Sequence, residues 1–160
     1  MMAVSVRDLV ETDLPWMAQV EGVIFAEAAW SEGLIREDWR YGTCRYRLVE
    51  ADGAPAGYAV YGYDGDVFHL MNLAIVPGQR GRGLAKALMS EFLDEAVRHE
   101  APDAWLEVAV TNEEALGLYS SLGFETVRTR RKYYQPGGID ALVMRKHLRP
   151  FEPDVLTPEN

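Results

Sequence analysis

The chain has 160 residues and a mass of 18.0 kDa, the size of one domain whose folding takes about 70% of the unfolded surface out of water. Hydrophobic residues make up 48% and charged residues 26%, which excludes disordered, collagen-like and low-complexity classes. A formal charge of -9 speaks against nucleic-acid binding, which rests on Lys and Arg neutralising phosphates, and favours cationic partners. Cys44 is the single cysteine, so no internal disulfide forms. The first residues carry no apolar secretion segment and no run is long enough to span a bilayer. The expectation is a soluble, cytoplasmic protein.

In chain order, residues 4–7 read as a first strand. Thr12 or Asp13 is placed to cap a helix carrying Leu14, Met17, Val20, Ile24 and Phe25 on one stripe. Ser31 is a good cap for a second helix, with Glu32 in its first turn, Leu34, Ile35 and Trp39 as its apolar side, and Gly42 as its stop. Residues 45–51 and 56–63 alternate or are rich in β-formers around Asp52-Gly53, a hairpin signal, and Asp64-Gly65 marks the next turn. Three antiparallel strands in succession follow.

Residues 67–76 form a long apolar strand stopped by Pro77, and residues 84–97 form an amphipathic helix with Leu84, Ala87, Leu88, Phe92 and Val97 near one face. Residues 105–110 are again a strand, which makes a parallel pair joined by a right-handed crossover. Thr111 with Glu114 reads as a capping box ahead of Ala115, Leu118, Tyr119 and Leu122, with Gly123 as the stop. Residues 124–131 and 141–147 are the last strands. One domain over residues 1–149 is expected, followed by a loose, proline-containing acidic tail over 150–160.

Chemistry concentrates in a few places. The loop Arg80, Gly81, Arg82, Gly83, Leu84 and Ala85 lies between a buried strand and a helix, where backbone N–H groups and the helix dipole favour an anion. No Gly-Lys-Ser/Thr follows, and Lys86 stands where a dinucleotide fingerprint needs its third glycine. A plain tight turn with solvated arginines is the alternative, although three cations together in an acidic protein suit a polyphosphate. Glu107 shares a strand face with Trp105 and Ala109, so it is either an edge-strand carboxylate in water or a functional one. Tyr119 follows the helical spacing of core residues, His69 reads as structural, and the adjacent Tyr133 and Tyr134 read as strand aromatics. No His or Cys spacing supports a metal site.

Together, residues 72–77, 80–85 and 118–124 resemble the GNAT superfamily of N-acetyltransferases, whose loop pattern is met by Arg80, Gly83 and Ala85. Residues 105–108 with Asn112 and Tyr119, then 131–134 and 140–144, are similar to the ribosomal-protein alanine N-acetyltransferases and their amino-terminal acetyltransferase kin. The resemblance covers about residues 4–147. It implies an α/β fold with a mixed, mostly antiparallel sheet, splayed between the fourth and fifth strands and flanked by about four helices. It implies that the backbone of Leu73, Ala74 and Ile75 meets the pantetheine of acetyl-CoA and that the N–H groups of residues 80–85 hold its pyrophosphate. Glu107 would be the general base, Tyr119 the general acid and Asn112 a cofactor contact, with no metal. The acceptor would be a protein N-terminus, alanine foremost, entering between Trp30-Ser31 and Tyr133-Tyr134. Ala29 replaces a proline usual before the Trp-Ser pair, and Ala109 an arginine common after the Glu-Val pair. An acetyltransferase for a small amine or internal lysine, and a non-catalytic CoA-binding module, are the other two readings.

Overall fold

The structure is a computed structural model, and residues 1–135 and 137–148 are described. The tail expected over 150–160 lies outside the described residues. Seven strands form one sheet: β1 (Val4–Asp8), β2 (Cys44–Ala51), β3 (Ala54–Asp64), β4 (Val67–Ile75), β5 (Asp103–Ala109), β6 (Glu125–Tyr134) and β7 (Ile139–His147), in the order β1-β2-β3-β4-β5-β7-β6. Every pairing is antiparallel except β4 with β5. Among the described residues four α-helices flank it: α1 (Leu14–Phe25), α2 (Glu32–Tyr41), α3 (Leu84–Arg98) and α4 (Glu113–Ser121). Among the described residues no helix is long and apolar enough to cross a membrane.

Local chemistry explains most boundaries. Asp52 and Gly53 take φ of 52° and 80°, the paired positive values of the tight hairpin that joins β2 to β3. The Ser31 side chain accepts from the Leu34 N–H at 3.2 Å and starts α2. At α1 the expected cap does not form. The Asp13 carboxylate instead accepts from the Val10 N–H at 2.9 Å, closing the 3-10 turn of Glu11–Asp13, and pairs with Arg7 at 2.7 Å. At α4 the cap is Asn112 rather than Thr111, with its Oδ1 accepting from the Ala115 N–H at 3.2 Å.

The core has two layers. Leu84, Leu88, Met89 and Phe92 of α3 cover one face of the sheet, while Leu14, Met17 and Val20 of α1 and Ile35 of α2 cover the other. Two residues expected on buried faces are outside: Leu34 is 54% exposed and Val97 59%. Both fit a helical stripe, but neither element has a neighbour at that angle.

A bulge in β4 governs what faces which layer. The register to β3 slips where Tyr61 opposes Leu70 and Val60 opposes Asn72, leaving Met71 extra. Before it, Phe68 and Leu70 pack toward α3; after it, Leu73 and Ile75 do, while Ala74 turns to α1. The extra residue therefore switches the alternation where the strand parts from β5, directly after Leu70.

Candidate active site

β4 and β5 pair only where Phe68, His69 and Leu70 oppose Ala104, Trp105 and Leu106. Beyond that point the strands separate, and β4 from Leu73 to Ile75 presents an edge with no strand opposite. A cleft of about 370 Å³ opens there. Its walls are Leu73, Ala74 and Ile75 on one side, Asn112, Ala115, Leu118 and Tyr119 of α4 on another, and the loop at the start of α3.

In that loop Gly81 and Gly83 take φ of 78° and 79°, values that L side chains rarely adopt. No side chain caps α3, so the N–H groups of its first turn are available at the positive end of the helix dipole. Arg80, Gly81, Gly83, Leu84, Ala85 and Lys86 all line the cleft, and Arg80 Nε is tied to the Ile75 carbonyl at 3.3 Å. Backbone donors, an aliphatic strand edge and two cations together suit a ligand with an anionic head and an extended arm. Arg82 does not share this wall. It reaches Gln79 Oε1 at 3.2 Å and Met2 Sδ at 3.6 Å on the outer surface.

Glu107 lies just past the last β4–β5 pair and, among the described residues, is laddered only to Val143 of β7, yet its side chain is only 14% exposed, so it is not a carboxylate standing in water. It does share the less buried face of β5 with Trp105 and Ala109, opposite Leu106 and Val108. Its Oε1 accepts from Arg130 Nη1 at 2.7 Å, and its Oε2 lies 3.8 Å from His69 Nε2. Burial holds His69 below its ordinary pKa of 6.5, against the opposing pull of Glu107 and Asp64, so the imidazole is neutral at pH 7. Its Nδ1 meets Met71 Sδ at 3.1 Å. Tyr119 is 6% exposed, and burial pushes its phenol up to about 12. It keeps its proton at neutral pH.

A second bulge, in β6 between Arg130 and Tyr134, has Lys132 at φ 52° with its N–H on Asp140 Oδ1 at 2.8 Å. Regular alternation would send Tyr133 and Tyr134 to opposite faces. Instead their rings meet edge to face with centroids 5.0 Å apart, and the Arg130 guanidinium lies 4.1 Å over the Tyr133 ring. Burial first, and then the charge of Glu107, push Tyr134 up, with a smaller push from Tyr119.

Trp30 and Ser31 are held differently. Trp30 donates its backbone N–H to Glu21 at 3.0 Å and Ser31 caps α2. Among the described residues neither has a hydrogen bond or ring contact with Tyr133 or Tyr134. The sequence gives His69 a structural role and sets Ile24 and Phe25 on the apolar stripe of α1; both pack against the core there and also line the cleft, which the stripe alone does not indicate. Only the register that sets His69 opposite Trp105 brings the imidazole to Glu107.

The model of the acetyltransferase (GNAT) family matches residues 5–124. The chain is 32% identical over 142 residues to the [ribosomal protein bS18]-alanine N-acetyltransferase of Escherichia coli, spanning 88% of this chain and 95% of that protein. It is 29% identical over 148 residues to the N-alpha-acetyltransferase RimI of Mycobacterium tuberculosis, spanning 89% and 92%. The crystal structure of the ribosomal-protein-S18-alanine N-acetyltransferase from Escherichia coli has a TM-score of 0.83 at 28% identity, over 96% of this chain and 99% of that one. The Salmonella typhimurium protein yncA with acetyl-CoA has a TM-score of 0.76 at 22% identity, which speaks for the fold alone. A family model over most of the chain, relatives aligned almost end to end and the splayed sheet agree: the chain belongs to the acetyltransferase (GNAT) family and is an N-acetyltransferase.

Proposed function

We propose that the protein transfers the acetyl group of acetyl-CoA to the N-terminal α-amine of a protein or peptide, with alanine preferred as first residue and a basic chain such as a ribosomal protein as the natural acceptor. One observation carries this reading: a cleft whose walls combine the uncapped start of α3, the unpaired edge of β4 and Tyr119 opens beside the strand that holds Glu107. The relatives named for alanine N-acetylation supply the acceptor.

The donor brings an activated acetyl thioester and a thiolate leaving group. Its phosphates would rest on the N–H groups of residues 80–85 with Arg80 and Lys86, and its arm would follow Leu73, Ala74 and Ile75. The acceptor amine must lose a proton before it attacks. At pH 7 that costs about 1 kcal/mol for an α-amino group of pKa about 7.8, against roughly 4.6 for a lysine of pKa about 10.4. Glu107 takes this proton on Oε2, directly or through a water, since Arg130 occupies Oε1. Tyr119 gives its proton to the departing sulfur and is reprotonated, through solvent, by the second proton that the nitrogen sheds as the amide forms. Transfer is direct, with no covalent enzyme intermediate.

Two tyrosines in ring contact wall a narrow slot and offer hydroxyls to an extended peptide. The net charge of -9 steers basic chains toward the protein, an attraction that weakens as salt rises. Ala29 and Ala109 leave the slot wider, so Ser- and Met-starting peptides are acetylated at lower kcat/KM rather than refused. The test is mass spectrometry on peptides that carry both a free amino terminus and an internal lysine. Acetate on the terminus supports the proposal; acetate mainly on the lysine, or equal labelling of a blocked peptide, overturns it.

A further inference from the structure

Glu21 plays no part in the chemistry above, yet it is a carboxylate only 1% exposed, set among Leu14, Met17, Tyr58 and Ala74 in the layer beneath α1. Taking a carboxylate out of water is costly unless its oxygens are hydrogen-bonded. Three bonds do this here, from three segments. Oε1 accepts from the Tyr58 hydroxyl of β3 at 2.5 Å and from the side-chain amide of Asn72 on β4. Oε2 accepts from the backbone N–H of Trp30 at 3.0 Å.

These donors do not belong to one structural unit. Asn72 follows the extra residue of the β4 bulge and precedes Leu73, the first strand residue of the cleft wall. Trp30 ends the connector between α1 and α2, whose first residue, Ala26, has φ 48° and ψ -115°. That is a backbone conformation L residues seldom hold without support. One carboxylate thus clamps both the end of this connector and the strand at which the donor cleft opens.

We propose that Glu21 is a positioning residue for the acceptor: through the Trp30 N–H it fixes the connector from Ala26 to Ser31 against β4, so that the acceptor side of the site is held in register with the donor cleft. The inference rests on the reading above, in which Trp30 and Ser31 stand beside the incoming terminus. It also explains why the residue is acidic. All three partners donate, a carboxylate has two acceptor oxygens, and a glutamine of the same size has one acceptor and one donor nitrogen. Facing three donors, glutamine keeps the side with Tyr58 and Asn72 and sets its nitrogen against the Trp30 N–H, or the reverse.

The experiment compares the wild-type protein with Glu21→Gln and Tyr58→Phe, reading kcat and KM for an alanine-starting peptide, the acetyl-CoA Kd by calorimetry, and amide hydrogen exchange at Trp30. Glu21→Gln should raise the peptide KM about tenfold, the scale of one hydrogen bond to a charged group. The acetyl-CoA Kd should stay within about twofold, and the Trp30 N–H should exchange faster. Tyr58→Phe removes one donor but leaves the Trp30 bond, so it should lose thermal stability while keeping the wild-type peptide KM. An unchanged peptide KM in Glu21→Gln, or an equal rise in both variants, overturns the proposal. If Glu21→Gln does not fold, the wild-type protein decides: saturating peptide should slow exchange at the Trp30 N–H, and no change counts against the role. A wild-type protein that acetylates lysine or small amines instead of termini defeats the functional reading alone, because the KM for that acceptor and Trp30 exchange still report on Glu21.

Discussion

Arg130 Nη1 donates to Glu107 Oε1 at 2.7 Å, reaching from β6 across β7 to β5. The guanidinium is on the exposed side of the sheet, so it orients the carboxylate without burying it. One oxygen is thereby spoken for, and the other lies toward His69, 3.8 Å away.

The first prediction follows from that asymmetry. Glu107→Gln keeps the shape and the oxygen toward Arg130 but cannot take a proton, and Tyr119→Phe keeps the ring but cannot give one. Each should lower kcat by about 10²- to 10⁴-fold, the usual contribution of a general base or acid. Circular dichroism and acetyl-CoA calorimetry should match wild type. Wild-type turnover in both variants at saturating substrates would remove both assignments.

Gly83→Asp places a carboxylate at the uncapped start of α3, where the phosphates of acetyl-CoA are proposed to rest. Acetyl-CoA affinity measured by calorimetry should fall by at least tenfold, the direction expected for a like charge against phosphate. Gly83→Ala is the control: it shares the cost of φ 79°, about 1 kcal/mol, but not the charge. Equal affinity in the two variants would mean that the loop does not hold the phosphates.

His69 makes stability depend on pH. Its folded pKa lies below 6.5 because burial disfavours the charged ring, so the unfolded chain binds more protons near and below that pH. Stability is then complete above about 6.5 and declines as pH falls through the folded pKa. Thermal unfolding between pH 7.5 and 5 should show this slope, and His69→Gln should flatten it. The shifted aspartates Asp8 and Asp13 titrate in a more acid window and leave this one clear.

At the start of α4 the helix cap can be assigned by urea unfolding. Asn112→Ala should cost about 1 kcal/mol, the typical value of a capping side chain, and Thr111→Ala should stay within about 0.5 kcal/mol. Larger destabilisation from the threonine variant would return the cap to Thr111.

The Ser31 cap and the glycine loop are written in local patterns, because each is decided by neighbours a few residues away, and the β4–α3–β5 crossover follows from the general connection rule once its three elements are placed. The bulges are not. An extra Met71 or a positive φ at Lys132 looks like any other strand residue until two strands are laid side by side. With those bulges hidden, the ring contact of Tyr133 with Tyr134 and the meeting of Asn72 with Glu21 were equally hidden. Leu34 and Val97 mislead in the opposite sense: their spacing is right for a buried stripe, but burial is set by what packs against the helix.

Among the described residues the sheet joins its two parts through three residue pairs alone, where Phe68, His69 and Leu70 meet Ala104, Trp105 and Leu106. Along that seam the molecule has its shortest run of ladder bonds, and so the path of least resistance for partial opening. Across that seam the lobe of β5, β7 and β6 is otherwise tied to β1 to β4 by the core they share beneath α3, so the ladder N–H groups of the seam should exchange ahead of those inside either lobe. A ligand laid across the parting strands acts as a rivet, and protection from exchange along the seam becomes a gauge of how often the cleft is filled.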